Sequence, residues 1–418
     1  MVHMNSFSGF YKKTIPERLE ILKAERGLTE EEAKVLLDSG ALDLETADHM
    51  VENVIGVEHL PLGVAPGFLI NGKEYIVPMC IEEPSVIAAA AKGAKLAAKS
   101  GGFTAEADEP IMTGQVQIMG VELNALDKFN ANKEEIAAAA KELCSGMEQY
   151  GGGFRSCEAH TLDTKRGKML IAIFYVDVRD AMGANTLNTL LEKIAPLLEE
   201  KIGGKARLRI LSNLAMRRKA RAKCTWKKEI IGEDAIEAIL DAYELAANDI
   251  YRCCTHNKGI MNGVDAVALA TGNDWRAVEA SAHAFAAMDG YKPLNRFYKD
   301  GNGDLVGEIE LPLTVGTVGG AINTNPIAKI SLKMLGIKSA QELSMVMAAV
   351  GLAQNFAALR ALGTEGIQRG HMKLHAANLA VTAGARGEEI EMVSKKLSEE
   401  GKYSVDAATE ILQKIRGG

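Results

Sequence analysis

The stretch CEAHTLDTKRGKMLIAIFYVDV, residues 157–178, lies in the middle of the pattern that decides the fold. Its centre, TKRG, has the composition of a turn, and the residues after it form an apolar run rich in aliphatic and aromatic side chains. The stretch therefore predicts a β-hairpin whose second strand is buried.

On either side of this hairpin, strands and helices follow one another in a recognisable order. IMTGQVQIMGV (111–121) is typical of a strand, and NKEEIAAAAKELCSGM (132–147) is typical of a helix that the glycines of GGGF end. After the hairpin come a helix, ANTLNTLLEKIAPLLEEKIGG (184–204), and a last strand, KARLRILSNL (205–214). The order β-α-β-β-α-β is the split βαβ pattern of ferredoxin-like domains. Residues 110–216 are therefore predicted to form such a domain, inserted into the rest of the chain.

The flanking parts of the chain are mainly helical. A helical hairpin is predicted over residues 14–40, because each helix begins after a threonine and ends before a glycine. GFLINGKEYIVPM (67–79) predicts a β-hairpin around its Asn-Gly pair, and an alanine-rich helix is predicted over 83–102. Further helices fill the C-terminal third. The predicted fold class is α+β.

Length and composition are those of an ordinary globular protein. At roughly 100–200 residues per domain, 418 residues suggest two to three domains. A net charge of −7 gives no reason to expect a nucleic-acid partner. No signal peptide is apparent, and the six cysteines contain no Cys-x-x-Cys pair, so reduced thiols and a cytoplasmic protein are expected. The apolar run at 344–359 is interrupted by Gly351, Gln354 and Asn355, which argues against a membrane span.

One basic cluster, RRKARAK at residues 217–223, stands out from this acidic background. It fits a solvated helix or strand edge, and it also fits a surface that faces phosphate. The sequence favours the solvated surface without excluding the other interpretation.

Searches for common catalytic motifs leave few candidates. No Gly-x-Gly-x-x-Gly follows a strand, and there is no phosphate-binding Gly-x-x-x-x-Gly-Lys-Ser/Thr, Gly-x-Ser-x-Gly or His-Glu-x-x-His. His371 and His375 are four residues apart on one predicted helix face, but no third ligand lies at a familiar spacing. No metal site is therefore predicted.

The stretch IEEPSV places Glu82 and Glu83 just before a predicted helix. A carboxylate there could cap the helix and interact with its dipole. Among apolar neighbours it could instead be partly buried, with a raised pKa that suits a proton donor. Both interpretations remain open from these residues alone.

VDVRDAMGANTLNT (176–189) joins a buried strand to a helix through a tight turn. Gly183 would let the backbone approach a ligand, and the N-terminus of the following helix could hold a phosphate. A plain loop is the alternative.

CCTHNKGIMNGVDAVALATGNDWRAVEA (253–280) contains a lysine in an unusual setting. Lys258 stands between Asn257 and Gly259, which predicts a turn leading into a buried segment, and the acid Asp274 follows that segment. Further on, His371 follows a glycine at a predicted helix start, where a lone histidine is most often structural.

Six short strings occur together in an order and spacing that identify a family. They are ENVIG (52–56), EEPS (82–85), DAMGAN (180–185), THNKGIMNG (255–263), TGNDWRA (271–277) and GHM (370–372). On these strings the chain resembles class II 3-hydroxy-3-methylglutaryl-CoA (HMG-CoA) reductases over essentially its whole length.

The resemblance implies a domain plan that contains the inserted domain. A large, mainly helical substrate domain would comprise residues 1–109 and 217–370 and be interrupted by a small ferredoxin-like NAD(P)-binding domain, 110–216. Residues 371–418 would form a mobile helical flap. The family's active site lies across a dimer interface that includes ENVIG, so a homodimer or higher even oligomer is expected.

The resemblance also implies an activity, the reduction of HMG-CoA to mevalonate and CoA with two NAD(P)H. Lys258 would stabilise the oxyanion, Asp274 would hold that ammonium, and Glu83 would donate a proton. His371 would protonate the departing CoA thiolate. The same enzyme working oxidatively in mevalonate catabolism, or a non-catalytic acyl-CoA-binding relative, are the alternatives.

Binding residues are implied position by position. The positions that match the site for the hydroxymethylglutaryl group are Ser85, Arg252, Asn262 and Gln354. Those that match the cofactor site are Asp180, Met182, Gly183, Ala184, Asn185 and Asn213.

Two positions depart from the pattern of an NADH-using family member. That member has an aspartate seven residues before the glycine triplet, where this chain has Cys144, so no carboxylate would repel a 2′-phosphate there. NADPH is therefore favoured over NADH, although Glu142 and Glu148 on the same helix could reverse the preference. At Tyr11 that member has an arginine near CoA.

Overall fold

The computed structural model describes residues 4–38, 42–364 and 367–417; for residues 4–5 and 367–374 it describes the backbone alone. Its strands are β1 (Leu62–Ile70), β2 (Lys73–Cys80), β3 (Phe103–Ala107), β4 (Ile111–Met119), β5 (Gly153–Thr164), β6 (Gly167–Asp177), β7 (Lys205–Ser212), β8 (Lys219–Trp226), β9 (Asn295–Lys299) and β10 (Leu305–Pro312).

The helices of the described residues alternate with these strands in the first half of the chain and dominate the second. They are α1 (Ile15–Arg26), α2 (Glu30–Leu37), α3 (Leu44–Met50), α4 (Val86–Lys99), α5 (Ala125–Ala131), α6 (Lys133–Leu143), α7 (Ser145–Glu148), α8 (Ala184–Ile202), α9 (Lys228–Ile231), α10 (Glu233–Asn248), α11 (Ile250–Ala270), α12 (Trp275–Ala286), α13 (Ala321–Thr324), α14 (Pro326–Leu335), α15 (Ala340–Gly363), α16 (Ile367–Thr382), α17 (Glu388–Glu400) and α18 (Val405–Gly417).

A four-stranded antiparallel sheet has the strand order β5-β6-β4-β7. This is the order of a split βαβ unit. Along the chain, α5 to α7 lie between β4 and β5, and α8 lies between β6 and β7. Residues of β4 alternate between buried and half-buried because successive side chains point to opposite faces. The buried face packs on α5, α6 and α8, which contribute Phe129, Ile136 and Leu187 respectively. The predicted hairpin is confirmed, since Thr164 pairs with Gly167 at its turn.

A second sheet has six strands in the order β2-β1-β3-β8-β10-β9. The basic cluster falls mainly on β8, which lies between β3 and β10 rather than at an edge or on a helix. Lys219 bonds Glu310 at 2.9 Å, and Lys223 bonds Glu308 at 2.8 Å, both across to β10. The predicted edge position was therefore wrong, because β8 pairs with a strand on each side, although Arg217 and Lys223 are exposed. Cross-strand carboxylates compensate the charge of these cations.

The helix α15 crosses the interior of the molecule next to this second sheet. Among the described residues, it is the one helix whose length and composition would allow it to cross a membrane. However, 67% of its apolar window is buried within the protein. Phe356 stacks on Trp226 of β8 at 4.0 Å between ring centroids. The burial and the stacking are those of a core helix.

The last three helices, α16 to α18, bury apolar side chains against one another. Ala376, Val393 and Leu412 belong to a cluster separate from those under the two sheets. The α+β class is confirmed, whereas the predicted domain bounds remain a prediction.

Candidate active site

Lys258 lies in the middle of α11, not in a turn. The helix begins at Asp249, whose carboxylate accepts the backbone N–H of Arg252 at 2.7 Å. From the helix surface, the Lys258 ammonium reaches the Glu83 carboxylate, with 2.9 Å between Nζ and Oε2. Their side chains are 59% and 36% exposed, so the pair is open to a ligand. Glu83 therefore pairs with this lysine, and the helix after it has Ser85 as its N-cap residue instead.

Buried polar side chains explain why Asn257-Lys258-Gly259 is helical. His256 shares a hydrogen bond with Asn295 at 2.6 Å, and Asn295 donates to Asn355 of α15 at 2.9 Å. The carboxamide oxygen of Asn257 accepts the backbone N–H of Leu294 at 3.0 Å. Burial lowers the pKa of His256 to about 4, so the imidazole is neutral. These contacts set the rotation of the helix and turn Lys258 outward.

Asp274 is separated from Lys258 by the remaining length of α11. Its carboxylate caps α12 and accepts the backbone N–H of Arg276 at 3.1 Å and of Ala277 at 3.2 Å. Thr271, which ends α11, is thirteen positions after Lys258, a rise of roughly 20 Å at 1.5 Å per residue. The two side chains cannot bridge that length. The prediction that Asp274 holds the ammonium of its own chain was wrong.

The residues predicted to hold the hydroxymethylglutaryl group lie on α11, on α15 and before α4. Asn262 is one turn beyond Lys258 on the same face, and Ser85 has a left-handed backbone, φ 77°, with no side-chain cap bond. Gln354 is 5% exposed, and its Oε1 has no hydrogen-bond partner among the described residues. Arg252 is half-buried near the start of α11. The structure joins none of these four directly to the Lys258–Glu83 pair.

The predicted cofactor loop leads into α8. At Gly183 φ is 102°, and an added Cβ would lie 2.7 Å from a methyl carbon of Val178, so only glycine fits. The first turn of α8 contains no acid and no side-chain cap, which suits a phosphate group of the dinucleotide. Ala184 is half-buried, and Asn185 and Asn213 are exposed.

Asp180 forms hydrogen bonds to two segments outside the cofactor loop. Its carboxylate accepts the backbone N–H of Ala340, at the start of α15, at 2.8 Å. Its carbonyl accepts from Thr317 at 2.8 Å. Asp180 therefore fixes the loop to a distant helix.

Cys144 lies at the end of α6 and is 3% exposed. Its burial raises the pKa of the thiol. The carboxylate of the nearby Glu148 lies 4.0 Å from the ammonium of Lys141.

His371 lies within the backbone of α16, and its side chain is outside the described residues, so its predicted role stays a prediction. His375 is exposed. Among the side chains that are described, no group of three His, Cys, Asp or Glu residues could hold a metal ion.

A half-buried pair of acids, Asp265 on α11 and Glu279 on α12, was not found from the sequence. Burial, and then the Glu279 carboxyl, raise the pKa of Asp265, so Asp265 keeps its proton and donates a hydrogen bond to Glu279. Glu279 in turn bonds His283 at 2.8 Å, and His283 bonds the Tyr291 hydroxyl at 2.7 Å. The sequence signal that could have indicated this pair is Asp265, an acid within the apolar stretch VDAVALA.

This pair should make the protein less stable as pH rises. Unfolded Asp265 ionises near its ordinary pKa, whereas the folded state holds the proton to a higher pH, so unfolding gains from proton loss above about pH 4. Asp265→Asn keeps a donor without titrating. We expect its free energy of unfolding in urea to exceed that of the native protein by about 1 kcal/mol or more at pH 8, and by less at pH 5. The same pH dependence in both proteins would contradict this.

Comparisons with known proteins agree on one family. The profile described as hydroxymethylglutaryl-coenzyme A reductase matches residues 14–376. The chain is 53% identical over 411 residues to a 3-hydroxy-3-methylglutaryl-coenzyme A reductase of Archaeoglobus fulgidus, covering 98% of this chain and 94% of the relative. It is 38% identical over 380 residues to a probable enzyme of the same name from Borreliella burgdorferi, covering 88% and 87%.

Solved structures give the same result. The class II 3-hydroxy-3-methylglutaryl-CoA reductase of Streptococcus pneumoniae, bound to NADPH in open conformations, superposes with a TM-score of 0.81 at 40% identity, covering 97% of this chain and 100% of that one. A further structure of that protein has a TM-score of 0.83 at 40% identity, covering 98% and 99%.

Proposed function

The chain belongs to the hydroxymethylglutaryl-coenzyme A reductase family, and on that premise we propose how its own residues carry out the reaction. It is an NAD(P)H-dependent oxidoreductase that converts HMG-CoA to mevalonate and CoA. The observation that carries the proposed roles is the Lys258–Glu83 pair, which places a cation and a proton-exchanging group 2.9 Å apart on an accessible surface.

Lys258 stabilises the negative charge that develops on the substrate carbonyl oxygen. Reduction of a carbonyl places charge on that oxygen, and a fixed ammonium lowers the transition state more than the ground state. The helical setting supports this role, because the buried neighbours His256 and Asn257 prevent rotation of the lysine away from the site. Glu83 exchanges the proton that the new alcohol requires.

Asp274 joins this pair from a second copy of the chain. Within one chain, Lys258 and Asp274 are too far apart to act together. In a homodimer with sites at its interface, Asp274 of one copy can meet Lys258 of the other. Several large apolar side chains support such an interface by their exposure. They are Ile55 at 103%, Tyr251 at 84%, Ile250 at 62% and Trp275, next to Asp274, at 42%.

The cofactor loop belongs with Asp274 of its own chain. The carboxamide of Asn273 accepts the backbone N–H of Gly316 at 2.7 Å and donates to its carbonyl at 3.1 Å. An added Cβ on Gly316 would lie 2.6 Å from the backbone nitrogen of Met182, so the two segments are in close contact. One copy therefore contributes the cofactor side and Asp274, and the other contributes Lys258 and Glu83.

The residues of the loop and of α8 fit the dinucleotide. When bound, NADPH supplies the hydride for each reduction step. Gly183 and the N-terminus of α8 hold a phosphate group, and Asn185 and Asn213 present exposed amides nearby. Cys144 leaves room for NADPH because no carboxylate stands there.

On the substrate side, Arg252 faces the free carboxylate with a planar two-pronged donor, and Ser85, Asn262 and Gln354 bind the hydroxyl and carbonyl groups. The unpartnered Oε1 of Gln354 supports a polar ligand at its position. His371 protonates the CoA thiolate when it departs. We infer that the enzyme acts in the cytoplasm and as a homodimer.

Counting cofactor against product tests the activity. With HMG-CoA and limiting NADPH, we expect two NADPH oxidised for each CoA released, because the reaction continues past the aldehyde to the alcohol. NADPH should give the higher kcat/KM of the two cofactors. One NADPH per CoA would contradict the assignment, no oxidation would indicate a non-catalytic relative, and a tenfold preference for NADH would contradict the cofactor preference.

A further inference from the structure

Arg218 is a buried cation that the proposed mechanism does not use. It directly precedes β8 and is 4% exposed, while its neighbour Arg217 is exposed. Burial lowers the pKa of Arg218 to about 10, which leaves the guanidinium charged at neutral pH. A charge removed from water costs several kcal/mol unless other groups compensate for it. The question is what this charge stabilises.

The guanidinium bonds only to backbone carbonyl groups among the described residues. It donates to Met182 at 3.0 Å, to Ala181 at 3.2 Å and to Val315. Asp177 and Asp180 act on its pKa from a distance, but neither forms an ion pair with it. The positive charge is therefore not cancelled by a contacting carboxylate.

Two of these carbonyls belong to the cofactor loop, immediately before α8. A peptide unit whose carbonyl accepts a charged hydrogen bond becomes a stronger donor at its N–H. The carbonyl of Met182 shares its unit with the N–H of Gly183, the N-cap residue of α8. Arg218 thus adds a full charge to the partial positive charge of the helix N-terminus.

The third carbonyl belongs to a different segment of the chain, which contacts Asn273. Val315 shares its peptide unit with the N–H of Gly316, which bonds Asn273 at 2.7 Å, next to Asp274. The planar fork of one guanidinium therefore spans the cofactor loop and the segment 315–316, which in turn bonds the residue next to Asp274. A lysine at this position would keep the charge, but it lacks the planar fork that binds the loop and the segment 315–316 at the same time.

We propose that Arg218 is a positioning residue for the dinucleotide: it fixes the loop 180–183 against the segment at 315–316 and provides the positive potential that holds the cofactor diphosphate at the start of α8. The inference rests on the proposed function for the identity of the ligand. It adds a residue that touches neither substrate nor cofactor. Because both cofactors contain the diphosphate, the effect applies equally to NADPH and NADH.

The test measures cofactor affinity directly, by calorimetry with NADPH and with NADH in the absence of HMG-CoA. We expect Arg218→Gln to raise both dissociation constants by about tenfold or more, corresponding to about 1.4 kcal/mol. Arg218→Lys should raise them by an intermediate factor, since the charge remains and the fork is lost. Binding of free CoA should be unchanged in both variants, which a general loss of structure would not allow.

The matched control is Arg221→Gln, which removes the same charge three residues further along, on β8. Arg221 bonds Asp108 at 2.7 Å and also Glu310, away from the loop. Its cofactor affinity should stay within about twofold of the native value.

Folded Arg218→Gln with native cofactor affinity would overturn the proposal. If that variant does not fold, Arg218→Lys decides: weaker cofactor binding with native CoA binding supports the role, and native binding of both rejects it. If the native protein itself binds neither dinucleotide, the proposed function fails before Arg218 is tested.

Discussion

Lys258→Ala should lose at least about a thousandfold in kcat, with NADPH binding and thermal stability close to native. The ammonium projects from the surface of α11, so its removal leaves no cavity in the core. Its absence deprives the developing oxyanion of its only fixed cation in the proposed mechanism. The measurement is mevaldehyde reduction, followed by loss of NADPH absorbance, together with HMG-CoA reduction. A native rate with mevaldehyde would reject the role.

Lys299→Ala is the matched control. Lys299 is also a partly exposed lysine, but it pairs with Glu237 on α10, away from the proposed site. Its removal should change kcat by less than about twofold, because a surface ion pair contributes little.

A dimer of two different variant chains tests whether Asp274 acts on Lys258 of the second copy. Lys258→Ala and Asp274→Ala should each be nearly inactive alone. A mixed dimer, isolated with two different affinity tags, has one site with both native residues and one site with neither. It should therefore recover about half of the native activity, since each site draws residues from both chains. A mixed dimer as inactive as its parents would contradict a shared site.

Removal of residues 367–418 is expected to have the second largest effect. The apolar cluster of α16 to α18 is separate from the clusters under the two sheets, so the remaining chain should fold and bind NADPH with native affinity. Turnover should fall at least about a hundredfold, because His371 and the proposed flap are lost. The readouts are the NADPH dissociation constant and kcat with HMG-CoA.

His371→Gln in the full chain separates the histidine from the rest of the segment. If the imidazole protonates the thiolate, this variant should slow HMG-CoA reduction but should affect mevaldehyde reduction much less, because the second step releases no thiol. Near-normal turnover in the shortened chain would show that neither the histidine nor the segment is required.

The sequence was sufficient where the signal is local and periodic. The alternation in 111–119, the turn at 164–167 and the apolar run after it predicted the four-stranded sheet, because side chains of a strand face opposite sides in strict alternation. The tight turn at Gly183 that leads into α8 was predicted from its short stretch alone. The six strings identified the family because short motifs in a fixed order are specific in combination.

The sequence was insufficient where distant residues decide local structure. Asn257-Lys258-Gly259 has the composition of a turn, yet it is helical. The buried side chains of His256 and Asn257 are hydrogen-bonded to Asn295 and Leu294, which lie 39 and 37 residues further along the chain. The basic cluster was predicted at an edge because its partners on β10 lie about ninety residues further along the chain.

Sequence alone thus determined the α+β class, the inserted sheet and the types of residue that the chemistry needs. Only the tertiary structure determined that Lys258 meets Glu83, that Asp274 is a helix length away, and that Arg218 supports the cofactor loop. The physical reason is that periodicity describes which side of an element is buried. Distances between elements depend on helix length and on hydrogen bonds between residues far apart in the chain, and no local pattern contains them.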